Sequence, residues 1–143
     1  MAKPGASETG LRVAVAVCAA VEVVLGMATG WAAARAWWTG DADVHASLAV
    51  TGAMGAVSFA LGMGLFAFSP LARRWMVLFS VLVLVNHALG AAGVTLWSSP
   101  ELVAVPAPAR LGVSLAYHLM VIVLLSLPQA ARVFAPDSAG GRA

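Results

Sequence analysis

Long apolar runs separated by short polar breaks dominate the chain, and within each run the polar residues recur at three- or four-residue steps. Four runs stand out: Leu11 to Ala34, Ala46 to Phe68, Trp75 to Trp97 and Leu111 to Leu127. Each approaches the roughly 20 residues that a helix needs to cross about 30 Å of hydrocarbon. None alternates apolar and polar residues as a barrel strand does, and backbone groups in lipid must pair within their own segment. The pattern therefore predicts an all-α fold, a four-helix transmembrane bundle with helices over about residues 11–34, 46–68, 75–97 and 111–132. Residues 11–134 form its single domain. Residues 1–10 and 135–143 are polar, small and carry Gly or Pro, so they read as flexible ends.

Residues three or four apart share a helix face. Cys18, Glu22, Gly26, Thr29 and Gly30 fall on one side of the first helix, and Thr51, Gly55, Ser58 and Gly62 on one side of the second. Ser80, His87 and Gly90 do the same on the third, with Ser114 and His118 on the fourth. Small residues let membrane helices approach closely, where dispersion and short hydrogen bonds replace the missing hydrophobic drive. The stripes therefore predict mutual contact surfaces, with Gly26, Gly30, Gly55, Gly62 and Gly90 as packing positions.

Glu22, His87 and His118 ask for more than packing. At about 1.5 Å per residue, His87 lies about 20 Å above Arg74, His118 about 21 Å above Arg132 and Glu22 about 15 Å above Arg12. All three are expected near the bilayer midplane, agreeing within one helical turn. An ionised carboxylate there costs at least about 2.5 kcal/mol, so Glu22 must be protonated, paired or facing a wet cavity. Asn86, on an adjacent face, is placed to bond a neighbouring helix. Glu22, Asn86, His87, His118 and Ser58 are the candidate proton or ligand site, and the structural alternative is a Glu–His or Glu–Asn bond that fixes helix register.

Composition agrees with the membrane reading: 62% of residues are hydrophobic, 10% are charged and the mean hydropathy is +0.93. A soluble domain carries about a quarter charged residues. The net charge of +2 and pI near 9.3 come from basic residues scattered among loop ends, with no patch for nucleic acid. Lys3, Arg12, Arg73, Arg74, Arg132 and Arg142 fall on one side of the layout, against Arg35 and Arg110 on the other. Basic residues favour the cytoplasm, so both termini are expected there, in a multi-pass protein of the inner (cytoplasmic) membrane. Trp37, Trp38 and Trp97 mark the outer interface and Trp75 the inner one.

Lys3 and Arg12 followed by an apolar run and "AAA" at 32 to 34 also resemble a signal peptide. Its apolar part exceeds the usual core of about 7 to 15 residues and contains Glu22, which favours a retained helix. Cys18 is the only cysteine, so no disulfide forms within the chain. No G-x-S-x-G, H-E-x-x-H or phosphate-cradling Gly-Lys loop occurs. No catalytic residue is assigned, no cofactor is required, and enzymatic activity is left open, with a non-enzymatic role favoured.

The stretch "LGMGLFAFSPLARRWMVLFSVLVLV" resembles small bacterial four-helix integral membrane proteins of DoxX-like layout, where a Gly-rich helix end, a Pro-Ala-Arg turn and another helix follow one another. That resemblance implies the fold and assigns no reaction. A shorter stretch, "AAVEVVLG", looks like the first helix of small multidrug-resistance transporters, which implies a proton-exchanging role for Glu22. Three functions follow. The first is a non-enzymatic bundle in the lipid bilayer that associates with itself or with a larger membrane partner. The second is a proton-coupled small-molecule carrier using Glu22, with His87 or His118 as relays. The third is a redox module in which His87 and His118 ligate a b-type haem or a metal.

Overall fold

A computed structural model describes residues 6–39, 45–94 and 107–135. Every element among them is helical: α1 (Ala6–Thr39), α2 (His45–Phe66), α3 (Pro70–Ala91), α4 (Ala107–Ser126) and the short α5 (Pro128–Val133). Three helices are long and apolar enough to cross a membrane, over Glu8–Thr39, Leu48–Phe66 and Pro70–Ala91; the apolar part of α4, Leu111–Ser126, is shorter.

The bundle is built inside out relative to a soluble protein. Val24 of α1, Val57 of α2, Leu78 of α3 and Val123 of α4 point outward, whereas Glu22, Thr51, Ser58, Ser80, Asn86 and His118 are buried. An apolar surrounding such as lipid suits the outer side chains, and the polar groups lie inside, where other helices can offer them partners. An apolar core of Val15, Leu65, Met76, Val121, Leu125, Val133 and Phe134 fills the end of the bundle at the α2–α3 turn.

Helices α1 and α2 run antiparallel with their backbones in near contact. A Cβ on Gly26 would lie 2.5 Å from the Phe59 nitrogen and 2.6 Å from the Gly55 carbonyl oxygen. One on Gly62 would lie 2.9 Å from the Ala19 oxygen, and one on Gly55 2.9 Å from the Gly30 nitrogen. Gly26, Gly55 and Gly62 are thus required by space. Gly30 presents only its backbone, since nothing lies within 4 Å of its own Cβ position. Gly90 differs from the packing role the sequence suggests: it is exposed, with nothing within 4 Å of a Cβ.

The turn from α2 to α3 is tighter than the sequence suggests, because α3 begins at Pro70. The Ser69 N–H bonds the Gly64 carbonyl at 2.9 Å and the Phe68 N–H bonds the Leu65 carbonyl at 3.0 Å, the paired bonds of a left-handed helix end. Phe68 occupies the left-handed position, with φ 50°, where glycine is usual. Its ring packs 5.8 Å from that of Phe134 and lies under the Arg12 guanidinium, 5.4 Å away. Ser69 then caps α3, its hydroxyl accepting from the Ala72 N–H at 3.4 Å, and Pro70 at the first helical position lacks a donor that would be unpaired anyway. At its far end α3 closes on Gly93, φ 82°, with the Val94 N–H on the Leu89 carbonyl.

Other expected boundaries move as well. α1 begins at Ala6, taking in residues 6–10 that read as a flexible end; residues 1–5 and 136–143 lie outside the described residues, as does Trp97. The expected helix over 111–132 is two helices: Leu127, with ψ 138°, leaves the helical region before Pro128, as steric clash with a proline ring demands. That break frees carbonyls at the end of α4, and the Arg73 side chain donates to the Leu125 carbonyl at 2.7 Å.

Candidate functional site

Polar side chains meet along the helix seams in the middle of the bundle. Between α1 and α2, the Ser58 hydroxyl lies 2.5 Å from Glu22 Oε2 and 3.1 Å from the Glu22 carbonyl oxygen. The close α1–α2 approach makes this possible: with Gly26, Gly55 and Gly62 stripped of side chains, a serine on α2 reaches the main chain of α1. Glu22 is 1% exposed, and its Oε1 has no hydrogen-bond partner among the described residues.

Between α3 and α4, two histidine–serine pairs are crossed. His87 Nε2 lies 2.8 Å from the Ser114 hydroxyl, and His118 Nδ1 lies 3.3 Å from that of Ser80. Each helix thus supplies one imidazole and one hydroxyl, and the antiparallel register brings both pairs together. Tyr117 ties α4 to α1: its hydroxyl donates to the Cys18 carbonyl at 3.3 Å and stands beside the Glu22 carboxyl. The Tyr117 ring meets that of His118 edge-on, with centroids 5.1 Å apart. Asn86 and Thr51 are buried and engaged.

The structure sorts the sequence-predicted residues into two groups. Glu22 and Ser58 belong to one cluster, and His87 and His118 to the other, so the expected Glu–His bond is replaced by Glu–Ser. The matched depth of the two histidines is also corrected. His118 pairs with Ser80, which lies seven residues from His87, about 10 Å along α3. Counting from Arg132 misplaces His118 because the break at Leu127 interrupts the helical ruler. Arg73, bonded at Leu125, is the better zero.

No group of three or more His, Cys, Asp or Glu able to hold a metal lies among the described residues. The histidines do not face each other as paired axial ligands; each is turned to a serine of the opposite helix.

Sequence reasoning missed Tyr117. The signal was available: it is the only tyrosine, within an apolar helix, and a buried tyrosine needs a partner for its hydroxyl. Arg73 was read only as a topology signal, because its carbonyl partner appears only once α4 breaks.

No protein-family model, curated protein or solved structure matches the chain.

Proposed function

We propose that the chain is a non-enzymatic integral membrane protein that works by association, through the outer face of α2, with a second copy or a larger membrane protein. The observation that carries this reading is the row Ala49, Ala53, Ala56, Ala60 and Met63, all exposed and spaced by four, three, four and three residues. That is the 3.5-residue repeat by which two helices keep one seam in contact. Alanine at four of the five positions permits close helix approach, the main source of association in lipid. The corresponding outward row on α1, Val13, Val17, Ala20, Val24, Met27 and Trp31, is bulky and suits acyl chains.

The same reading takes four crossings in the inner membrane, in a DoxX-like layout, with both termini cytoplasmic. In its support, Arg12, Arg73 and Arg132 gather at the end of the bundle where α2 turns into α3, the pattern that basic residues follow at the cytoplasmic face. The polar side chains of the interior bond one another across helix seams, as expected of a bundle whose chemistry is its own assembly.

The test places single cysteines at Ala53, Ala56 and Ala60, and at Val17 and Val24 as controls, in a Cys18→Ala background in native membranes. Oxidative crosslinks between copies, or adducts with one recurring membrane protein, are expected at the α2 positions alone. Equal labelling of both faces, or none, would refute the association reading.

A further inference from the structure

α3 opens on "PLARRW", with two adjacent arginines and no acid in its first turn. Arg73 is satisfied inside the bundle, at the Leu125 carbonyl. Arg74 is not: it is exposed, and among the described residues no hydrogen bond, ion pair or ring contact reaches its side chain. A guanidinium stays charged at any ordinary pH and presents a planar fork of donors that fits phosphate oxygens. Neither described acid is open to it, since Glu8 is bonded to Arg12 and Glu22 is buried against Ser58. The counter-charge of Arg74 therefore lies outside these residues.

The surface beside Arg74 indicates which anion. Leu71, Trp75, Leu78, Leu82 and Val85 are exposed and spaced by four, three, four and three residues, an unbroken outward row on α3. Arg74 comes three residues after Leu71 and four before Leu78, at the edge of that row. The row is bulky where α2 presents alanines, and it runs about 21 Å along the helix, past the roughly 15 Å of hydrocarbon in one leaflet. Trp75 stands at its charged end, its indole N–H without an acceptor among the described residues, in the place tryptophan takes between headgroups and acyl chains. We infer that the Arg74 guanidinium and the Trp75 indole N–H form a site for the phosphate headgroup of an anionic phospholipid, whose acyl chain lies along the outward row of α3. A zwitterionic headgroup carries its own ammonium beside the phosphate, whereas an anionic one leaves the phosphate charge to Arg74. The inference rests on the membrane reading above and uses nothing of the α2 face.

The test reconstitutes the full chain in vesicles of phosphatidylcholine with a minor share of phosphatidylglycerol, bromine being carried on the acyl chains of one lipid or the other. Bromine quenches tryptophan at close range, and subtracting the emission of Trp75→Phe isolates the signal of Trp75. Phosphatidylglycerol is expected to be enriched about fivefold around Trp75 over its share of the bilayer, the gain that one basic side chain brings near an anionic surface. The enrichment should vanish in Arg74→Gln and persist in Arg132→Gln, an exposed arginine of α5. Quenching by each lipid in proportion to its share would overturn the site while leaving α3 in the membrane. Equal loss in the two variants would overturn it in favour of diffuse attraction, and loss on adding inorganic phosphate at constant ionic strength in favour of a free anion. Quenching by neither lipid would remove the membrane reading of α3 and the site with it.

Discussion

At Gly26 a Cβ would meet the Phe59 nitrogen and the Gly55 carbonyl oxygen, main-chain atoms that cannot move aside without moving α2. Gly26→Ala is therefore expected to cost at least about 1–3 kcal/mol, the usual range for overpacking, measured by unfolding in mixed detergent. Gly90→Ala is expected to do the reverse and gain about 0.5–1 kcal/mol, because its surroundings are open and alanine restricts the unfolded chain. The sequence gives both glycines the same place in a small-residue stripe, so it could not tell them apart. What separates them is a neighbouring backbone, which spacing along one helix does not encode. Ser58→Ala should cost about 0.6 kcal/mol and up to about 1.7, the range measured for hydrogen bonds between membrane helices. Glu22→Gln should cost less than Ser58→Ala in the same assay, since the amide oxygen can still accept from the Ser58 hydroxyl.

Among the elements, the turn at Phe68 separates strain from packing. A side chain in the left-handed region costs roughly 1–2 kcal/mol, and here the Phe134 ring and the Arg12 guanidinium hold it in place. Phe68→Ala and Phe68→Gly both lose those contacts, but only glycine also relieves the backbone. The glycine variant is expected to be about 1 kcal/mol more stable than the alanine variant, with both below the parent, by the same unfolding measurement. The hairpin itself was legible from "FSPLARRW", since Ser before Pro is a helix-start signal. The left-handed phenylalanine was not, because glycine is the residue expected there. The break at Leu127 was half legible: Pro128 announced a disturbance, and the structure makes it a full stop with Arg73 on the Leu125 carbonyl.

For the whole molecule, composition and run length carried the helical, membrane-compatible reading, and helical spacing put Glu22, Ser58, His87 and His118 on interior or seam faces. Their grouping was out of reach, because which interior residues touch depends on register between helices. The two halves of the bundle are joined by different means. α1 and α2 touch through main-chain atoms at glycine, whereas α3 and α4 are linked by side chains such as the crossed histidine–serine pairs. The first pair is therefore expected to be the more rigid of the two. Amide hydrogen exchange in bilayers should accordingly be slower around Gly26, Gly55 and Gly62 than around His87 and Ser114. Tyr117, carried by α4 and bonded to the α1 main chain at Cys18, is the one side chain through which a shift of the second pair against the first would be felt beside the Glu22 carboxyl.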